Sequence, residues 1–582
     1  MDTAALLAER VRAAIVRAFG EEHAGADPAV HRSSFADFQA DAALRLAKPL
    51  KKPPLEIAKA LAEAVDVKDL VAEENGVTVS PPGFVNFVLG RAFLERAAAG
   101  VLADARAGVP NVAKPETIVI DYSGPNVAKE MHVGHIRSTV IGDVLARVLG
   151  FVGHRVIRQN HIGDWGTPFG MLIEHMLDVG VEAAASELSV GALNQFYQAA
   201  RKKFDGDPAF AERARKRVVL LQGGDAATLE SWSFLVAASR RYFASLYQRL
   251  SLLLEDGDVR GESFYNPMLA ETAAELEKSG VARIDDGALC VFLDDFKGRD
   301  GAPLPLILRK QDGGFGYAAT DVSAVRYRVR ELGATRLLYV IGSPQQQHLG
   351  MVFATARLAG YLPPHVRAEH VAFGSILGRD KKMFKTREGE AVRLVDVLDE
   401  AVERASKAVR EKSPALAEAD VQRFAAEVGI GAIKYADLSS DRIKDYIFDW
   451  ERMLAFEGNT GPYLQYAHAR ICSIQRKALE AGIVLEPATP LALAEPAERK
   501  LAVELLEFEP TLRAVSESLQ PHKLTNYLYE LANTFTTFYE QCSVLRAEDP
   551  AVRASRLALS GATRAVLGMG LGLLGMAAPE RM

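Results

Sequence analysis

The chain has 582 residues, 49% of them hydrophobic and 25% charged, with a formal net charge of −6. That length exceeds one hydrophobic core and implies two to four domains, and the composition excludes disordered and collagen-like classes. Mild acidity excludes a globally basic nucleic-acid binder, so any RNA contact must come from local Lys and Arg patches.

Three cysteines, Cys290, Cys472 and Cys542, lie far apart with no CxxC pair. That spacing argues against a zinc site and against a disulfide framework, and fits a reducing compartment. The N-terminal stretch reads as an amphipathic helix with Leu6, Val11, Ile15 and Phe19 on one side, not as a signal segment. No apolar run reaches membrane length; AVLGMGLGLLGMAAP near the C-terminus is short and broken by glycine. A cytoplasmic protein with no membrane partner is expected.

Residues 1–112 alternate helix-like runs with the strand-like GVTVS and GFVNFVL, as a small α/β domain would. Pro and Gly in AGVPNVAKPE mark a boundary. TIVIDY then reads as a strand. A helix follows from about Val133, with Ile136, Val140, Ile141, Val144 and Val148 at helical spacing, and HRVIRQN is a second strand. Strand, crossover helix and strand predict a parallel, Rossmann-like sheet. A mostly helical insertion over about 180–260 interrupts it, and LLYVIG resumes it. The sheet domain is expected over 113–400, and an all-helical domain over 401–582. The fold class is thus multidomain α/β.

Two constellations carry chemistry. In DYSGPNVAKEMHVGH, which joins a strand to a helix, His132 and His135 share one face of the first helical turn. There they lie beside unpaired N–H groups and the positive end of the macrodipole. Such a turn can hold triphosphate oxygens and stabilise charge at an α-phosphate, while Gly134 leaves room for a ring to approach the backbone. No GxGxxG follows the strand, which weakens a dehydrogenase reading. In FGSILGRDKKMFKTREG, Lys382 and Lys385 lie on a Gly-bounded loop able to reach phosphates and close over a nucleotide. Alone, that string would read as a solvated basic turn.

HVGH resembles the HIGH signature of class I aminoacyl-tRNA synthetases, and KMFKT resembles their KMSKS loop. SGPNVAKEMHVGHIRSTVIGD, NHIGDWGTPFG and KYADLSSDRIKDYIFDWERMLAFEGNTGPYLQYAHAR resemble the arginyl family specifically, and the similarity runs from FADFQADAALRLAK to the terminal PERM. The resemblance implies a ligase that activates L-arginine with ATP to arginyl-adenylate and pyrophosphate, then transfers it to the 3′-terminal adenosine of tRNA(Arg). Catalysis and ATP binding would fall to His132, Gly134, His135, Lys382 and Lys385. Arginine would be held by Asp121, Ser123, Asn126, Tyr317, Asp321 and Gln345. Asp121 and Asp321 supply the planar acceptors a guanidinium demands, and Tyr317 shares a helical face with Asp321.

Mg2+ is expected to arrive with ATP, not in a protein cage, and no zinc is expected. The helical domain resembles an anticodon-binding module, with Tyr463 in loop-like GNTGPY, Tyr466, Tyr539 and Met582 as base contacts. The N-terminal domain resembles a tRNA-elbow module, with Phe84 and Asn86 as a stack-plus-hydrogen-bond pair. A monomer is expected, and bound tRNA is a candidate requirement for the first step. Phe384 and Thr386 depart from the serines of KMSKS; Gly124 and Pro168 stand where relatives carry Ser and Gln. One rival is another class I enzyme such as the cysteinyl one, disfavoured by the absent zinc cysteines. The other is a catalytically dead RNA-binding paralogue, disfavoured because His132, His135 and Lys385 are all present.

Overall fold

The computed structural model describes residues 2–180, 184, 193–298, 301–384, 391–483 and 489–582. The N-terminal domain carries an antiparallel sheet of β1 (Val30–Arg32), β2 (Phe38–Ala40), β3 (Val77–Ser80) and β4 (Phe84–Phe87), in the order β1-β2-β4-β3. Its first helix, Thr3–Phe19, buries Leu7, Val11, Ala14 and Ile15. The buried seam therefore starts at Leu7, and Leu6 and Phe19 sit at its margin.

The central sheet is parallel and built from β5 (Thr117–Asp121), β6 (Arg155–Gln159), β10 (Arg336–Tyr339) and β11 (Arg367–His370), in the order β11-β10-β5-β6. Parallel pairing requires a crossover, and the helix Gly134–Phe151 provides it between β5 and β6. From β5 the chain moves to β6 on one side and later returns to β10 on the other. The carboxyl ends of β5 and β10 therefore form the topological switch point, where open α/β sheets place their ligands. Gly142 lets the crossover helix approach the sheet, since a Cβ there would overlap the Tyr122 ring.

The insertion is helical over Leu193–Gly206, Pro208–Gln222 and Ala226–Arg249. Beyond it stands an antiparallel sheet that the sequence reading does not separate: β7 (Arg283–Asp285), β8 (Ala288–Lys297) and β9 (Pro303–Arg309). The C-terminal helical run starts at Leu394, ahead of the expected 401, and is interrupted by β13 (Tyr446–Ile447). This two-residue strand pairs in parallel with β12 (Ile376–Leu377), which leads into the lysine loop.

Charged contacts lock these parts together. Asp37 of the N-terminal domain receives a bidentate pair from Arg499, and Asp2 lies 3.7 Å from Arg513. The helix Arg91–Ala103 also packs on the C-terminal helices Pro496–Leu505 and Pro550–Leu573. Between the catalytic and helical domains, Arg137 and Asp437 form an ion pair at 3.3 Å with side-chain exposures of 1% and 0%. Arg137 also donates to the Lys444 carbonyl at 2.9 Å. Removing one member of such a pair strands a charge in a low dielectric. Asp437→Ala is therefore expected to destabilise this junction by about 3–5 kcal/mol, read as a lowered urea midpoint.

Candidate active site

The two signature histidines face each other at the start of the crossover helix, with ring centroids 4.0 Å apart. His132 Nδ1 accepts the Gly134 N–H at 3.1 Å, and His135 Nδ1 accepts the His132 N–H at 3.1 Å. The first bond leaves the proton of a neutral His132 ring on Nε2, whereas His135 Nδ1 lies against both the His132 N–H and, at 3.3 Å, the His132 carbonyl. Burial, followed by nearby Lys129, lowers the His132 pKa. Burial, followed by His132, pushes His135 down to about 3. Both rings are therefore neutral at pH 7 and present N–H donors at a helix N-terminus, an arrangement suited to phosphate oxygens. Lys129, exposed on the same loop, is a cation the sequence reading passes over.

The lysine loop leaves from and returns to this place. At its exit, the Val133 N–H donates to the Val392 carbonyl at 2.8 Å and the Leu394 N–H to the Met131 carbonyl at 2.8 Å. His132 and Arg393 thereby form a β-bridge. At its entry, Phe373 bridges Gly342 just beyond β10. Lys382 is exposed, its backbone N–H donating to Asp380 at 3.1 Å. Lys385, with Thr386 and Arg387, lies outside the described residues.

On the amino-acid side, Asp121 at the end of β5 is already engaged. Its Oδ2 accepts from the buried Arg328 guanidinium at 2.7 Å, and its Oδ1 from the His161 N–H at 3.3 Å. Arg328 Nε also donates to Gln159 at 2.6 Å, and the guanidinium lies 4.8 Å from the Tyr339 ring centroid. Asp121, expected as a guanidinium acceptor, thus already holds the guanidinium of Arg328. Ser123, expected as a substrate contact, is buried with its Oγ bonded to Thr139 at 3.0 Å and Tyr247 at 2.8 Å. Asn126 remains exposed, bridged to Gly163.

Tyr317, 73% exposed, and Asp321 lie on the helix Tyr317–Arg330. Asp321 Oδ2 meets His348 Nε2 at 2.6 Å, and that bond raises the His348 pKa. Gln345, exposed, sits in the 3-10 turn just before the His348 helix. Glu262 opens the helix Glu262–Lys278, and its carboxyl is raised to about 8 by burial and then by the charges of Asp164 and Asp321. The sequence reading misses both His348 and Glu262, because their link to Asp321 is tertiary.

The expected RNA residues lie away from this cleft. Tyr466 and Met582 are brought together, lining with Lys412 and Phe456 a cleft of about 270 Å³. Tyr463 is not in a loop: it occupies the first turn of the helix Gly461–Glu480, bonded to Asn533 at 2.9 Å. Tyr539 lies beneath Arg470, whose guanidinium is 4.7 Å from its ring centroid. Phe84 is half-buried, and Asn86 is buried with its Nδ2 donating to Ser80 at 2.9 Å. Phe35, by contrast, stands 89% exposed between β1 and β2.

A family profile described as the catalytic domain of class I (R) tRNA synthetases matches residues 98–450. The chain belongs to the arginyl-tRNA synthetase family. Profiles for the arginyl-tRNA synthetase N-terminal domain and the DALR anticodon-binding domain match 5–89 and 464–582. An arginine–tRNA ligase from Thermobifida fusca is 52% identical over 582 residues, covering 100% of each chain. Two solved arginyl-tRNA synthetase structures share the fold. That from Plasmodium falciparum has a TM-score of 0.85 and 29% identity, covering 100% of this chain and 99% of its own. That from Thermus thermophilus has a TM-score of 0.81 and 27% identity, covering 100% of both. Membership of the arginyl-tRNA synthetase family accounts for a histidine pair at a helix N-terminus and for carboxylates gathered about Glu262.

With its carboxyl raised to about 8, Glu262 carries a proton near neutrality; a guanidinium placed beside it would favour the carboxylate and expel that proton. Loss of the His348 proton frees Asp321 in the same pH direction. Arginine affinity should therefore rise from pH 6 to pH 8, with about one proton released per arginine bound near neutrality. Calorimetry in buffers of different ionisation enthalpy measures this, and binding without proton release would contradict it.

Proposed function

We infer that the chain joins L-arginine to tRNA(Arg) in two steps. ATP and arginine give arginyl-adenylate and pyrophosphate; the arginyl group then passes to the 3′-terminal adenosine of the tRNA. The observation that carries this reading is the backbone stitch of the lysine-loop exit onto the histidine turn, together with the carboxylates of Asp164 and Asp321 gathered about Glu262 in the same domain.

His132 and His135 donate Nε2–H to the triphosphate. Lys382 and Lys385, with Lys129 on the facing loop, neutralise charge that shifts toward pyrophosphate. Mg2+ enters as part of the ATP substrate complex. Tyr317, Asp321 and Glu262 take the guanidinium; Asn126 and Gln345 hold the amino and carboxylate ends; Asp121 and Ser123 support the cradle from behind. A guanidinium paired to partly buried carboxylates discriminates strongly against citrulline, which leaves those acceptors unmatched.

Residues 401–582 read the anticodon loop, with Tyr466 and Met582 as the leading base contacts. Residues 1–112 hold the tRNA elbow, where exposed Phe35 is better placed to stack on a base than half-buried Phe84. Among the described residues no helix is long and apolar enough to cross a membrane, and the protein is proposed to act as a cytoplasmic monomer.

Aminoacylation of total tRNA with each amino acid in turn tests the reading: charging by arginine alone is expected, and charging by another amino acid instead would overturn it. Asp321→Asn should weaken arginine binding about 10- to 100-fold through loss of a charge-assisted bond, with ATP binding preserved. Lys385→Ala should lower turnover at least about 100-fold while arginine still binds. Unchanged turnover would remove that lysine from the mechanism.

A further inference from the structure

The turn that carries Asn126 into the cleft is conformationally unusual. Ser123 and Gly124 both have left-handed backbones, with φ of +75° and +55°. For a serine this is strained, by about 1–3 kcal/mol, and it persists only where the surroundings over-determine it. Those surroundings come from several elements. The Ser123 N–H donates to Ser138 Oγ at 3.0 Å, and Ser138 Oγ donates to the Val340 carbonyl at 2.6 Å. The Gly124 N–H donates to Asn160 Oδ1 at 3.0 Å.

One group joins the two halves of this clamp. The Tyr247 hydroxyl lies 2.8 Å from Ser123 Oγ and accepts from Asn160 Nδ2 at 3.0 Å. Tyr247 is 6% exposed and belongs to the insertion helix Ala226–Arg249, 124 residues beyond the serine it braces. Its hydroxyl oxygen therefore meets the strained Ser123 through that residue's own side chain, and Asn160, which holds the Gly124 N–H, through its amide.

The geometry points to Tyr247 as a positioning residue for arginine: its hydroxyl holds the left-handed Ser123–Gly124 turn, and that turn sets Asn126 in the amino-acid cradle. Tyr247 does not touch substrate. The helical insertion thus supplies a structural member of the arginine site. The inference rests on the arginine-cradle reading above, and Asn126 separates the two. If Asn126→Ala leaves the KM for arginine unchanged, the cradle reading fails first.

Tyr247→Phe keeps the ring and leaves Ser123 Oγ and Asn160 Nδ2 without their shared partner. It should raise the KM for arginine in pyrophosphate exchange about tenfold, with the KM for ATP within about twofold of the parent. Phe243→Leu, on the same helix and outside the clamp, should lower Tm without separating the two KM values. Asn160→Asp keeps the acceptor for Gly124 but draws the tyrosine proton away from Ser123. It should reproduce the arginine-specific rise, and it carries the test should Tyr247→Phe not fold. Unaltered constants in Tyr247→Phe, or equal rises in both KM values together with the Tm loss of Phe243→Leu, would overturn the proposal while leaving a positive Asn126→Ala result intact.

Discussion

Two backbone hydrogen bonds, Val133 N–H to Val392 and Leu394 N–H to Met131, decide where the chemistry happens. They fasten the return of the lysine loop to the histidine turn, across most of the catalytic domain's sequence. Because they are main-chain bonds, they do not depend on which side chains the loop carries. On the entry side, Leu377 bridges Met383 and the Phe384 N–H donates to the Ile376 carbonyl at 3.1 Å. Everything else in the catalytic domain serves to place that anchor at the carboxyl edge of the sheet.

The phosphate and amino-acid sides use opposite electrostatic strategies. On one, neutral imidazoles lie at a helix terminus, an arrangement suited to an anion. On the other, carboxylates cluster, and burial with the charges of Asp164 and Asp321 raises the Glu262 carboxyl to about 8. Arg328 keeps Asp121 out of that contest by pairing with it permanently. An acidic pocket that must receive an arginine thus already contains one, turned inward and committed to structure.

Much of this is legible in the sequence because it is local. Helical spacing from Ile136 to Val148 and the β-branched run TIVID identify strand, crossover and switch point without tertiary information. The motif strings identify the family and the histidines. What escapes is tertiary: Glu262 and His348 converge on Asp321 from separate segments, and Arg328 reaches Asp121 across 207 residues. The β7–β9 sheet escapes because it lies between the long helical patterns of Glu262–Lys278 and Tyr317–Arg330. The anticodon-face tyrosines look equivalent in sequence, but Tyr463 packs against Asn533 while Tyr466 opens onto a cleft. Spacing does not distinguish an aromatic that bonds one helix to another from one that lines a cleft.

The clasp between Asp37 and Arg499 has a topological consequence. With its first domain gripping its last, the polypeptide closes on itself as a ring joined at one point by salt links instead of a peptide bond. Severing the covalent connector between residues 104 and 116 would open that ring without releasing its parts. Rearranged chain ends placed there should leave the three-domain body assembled.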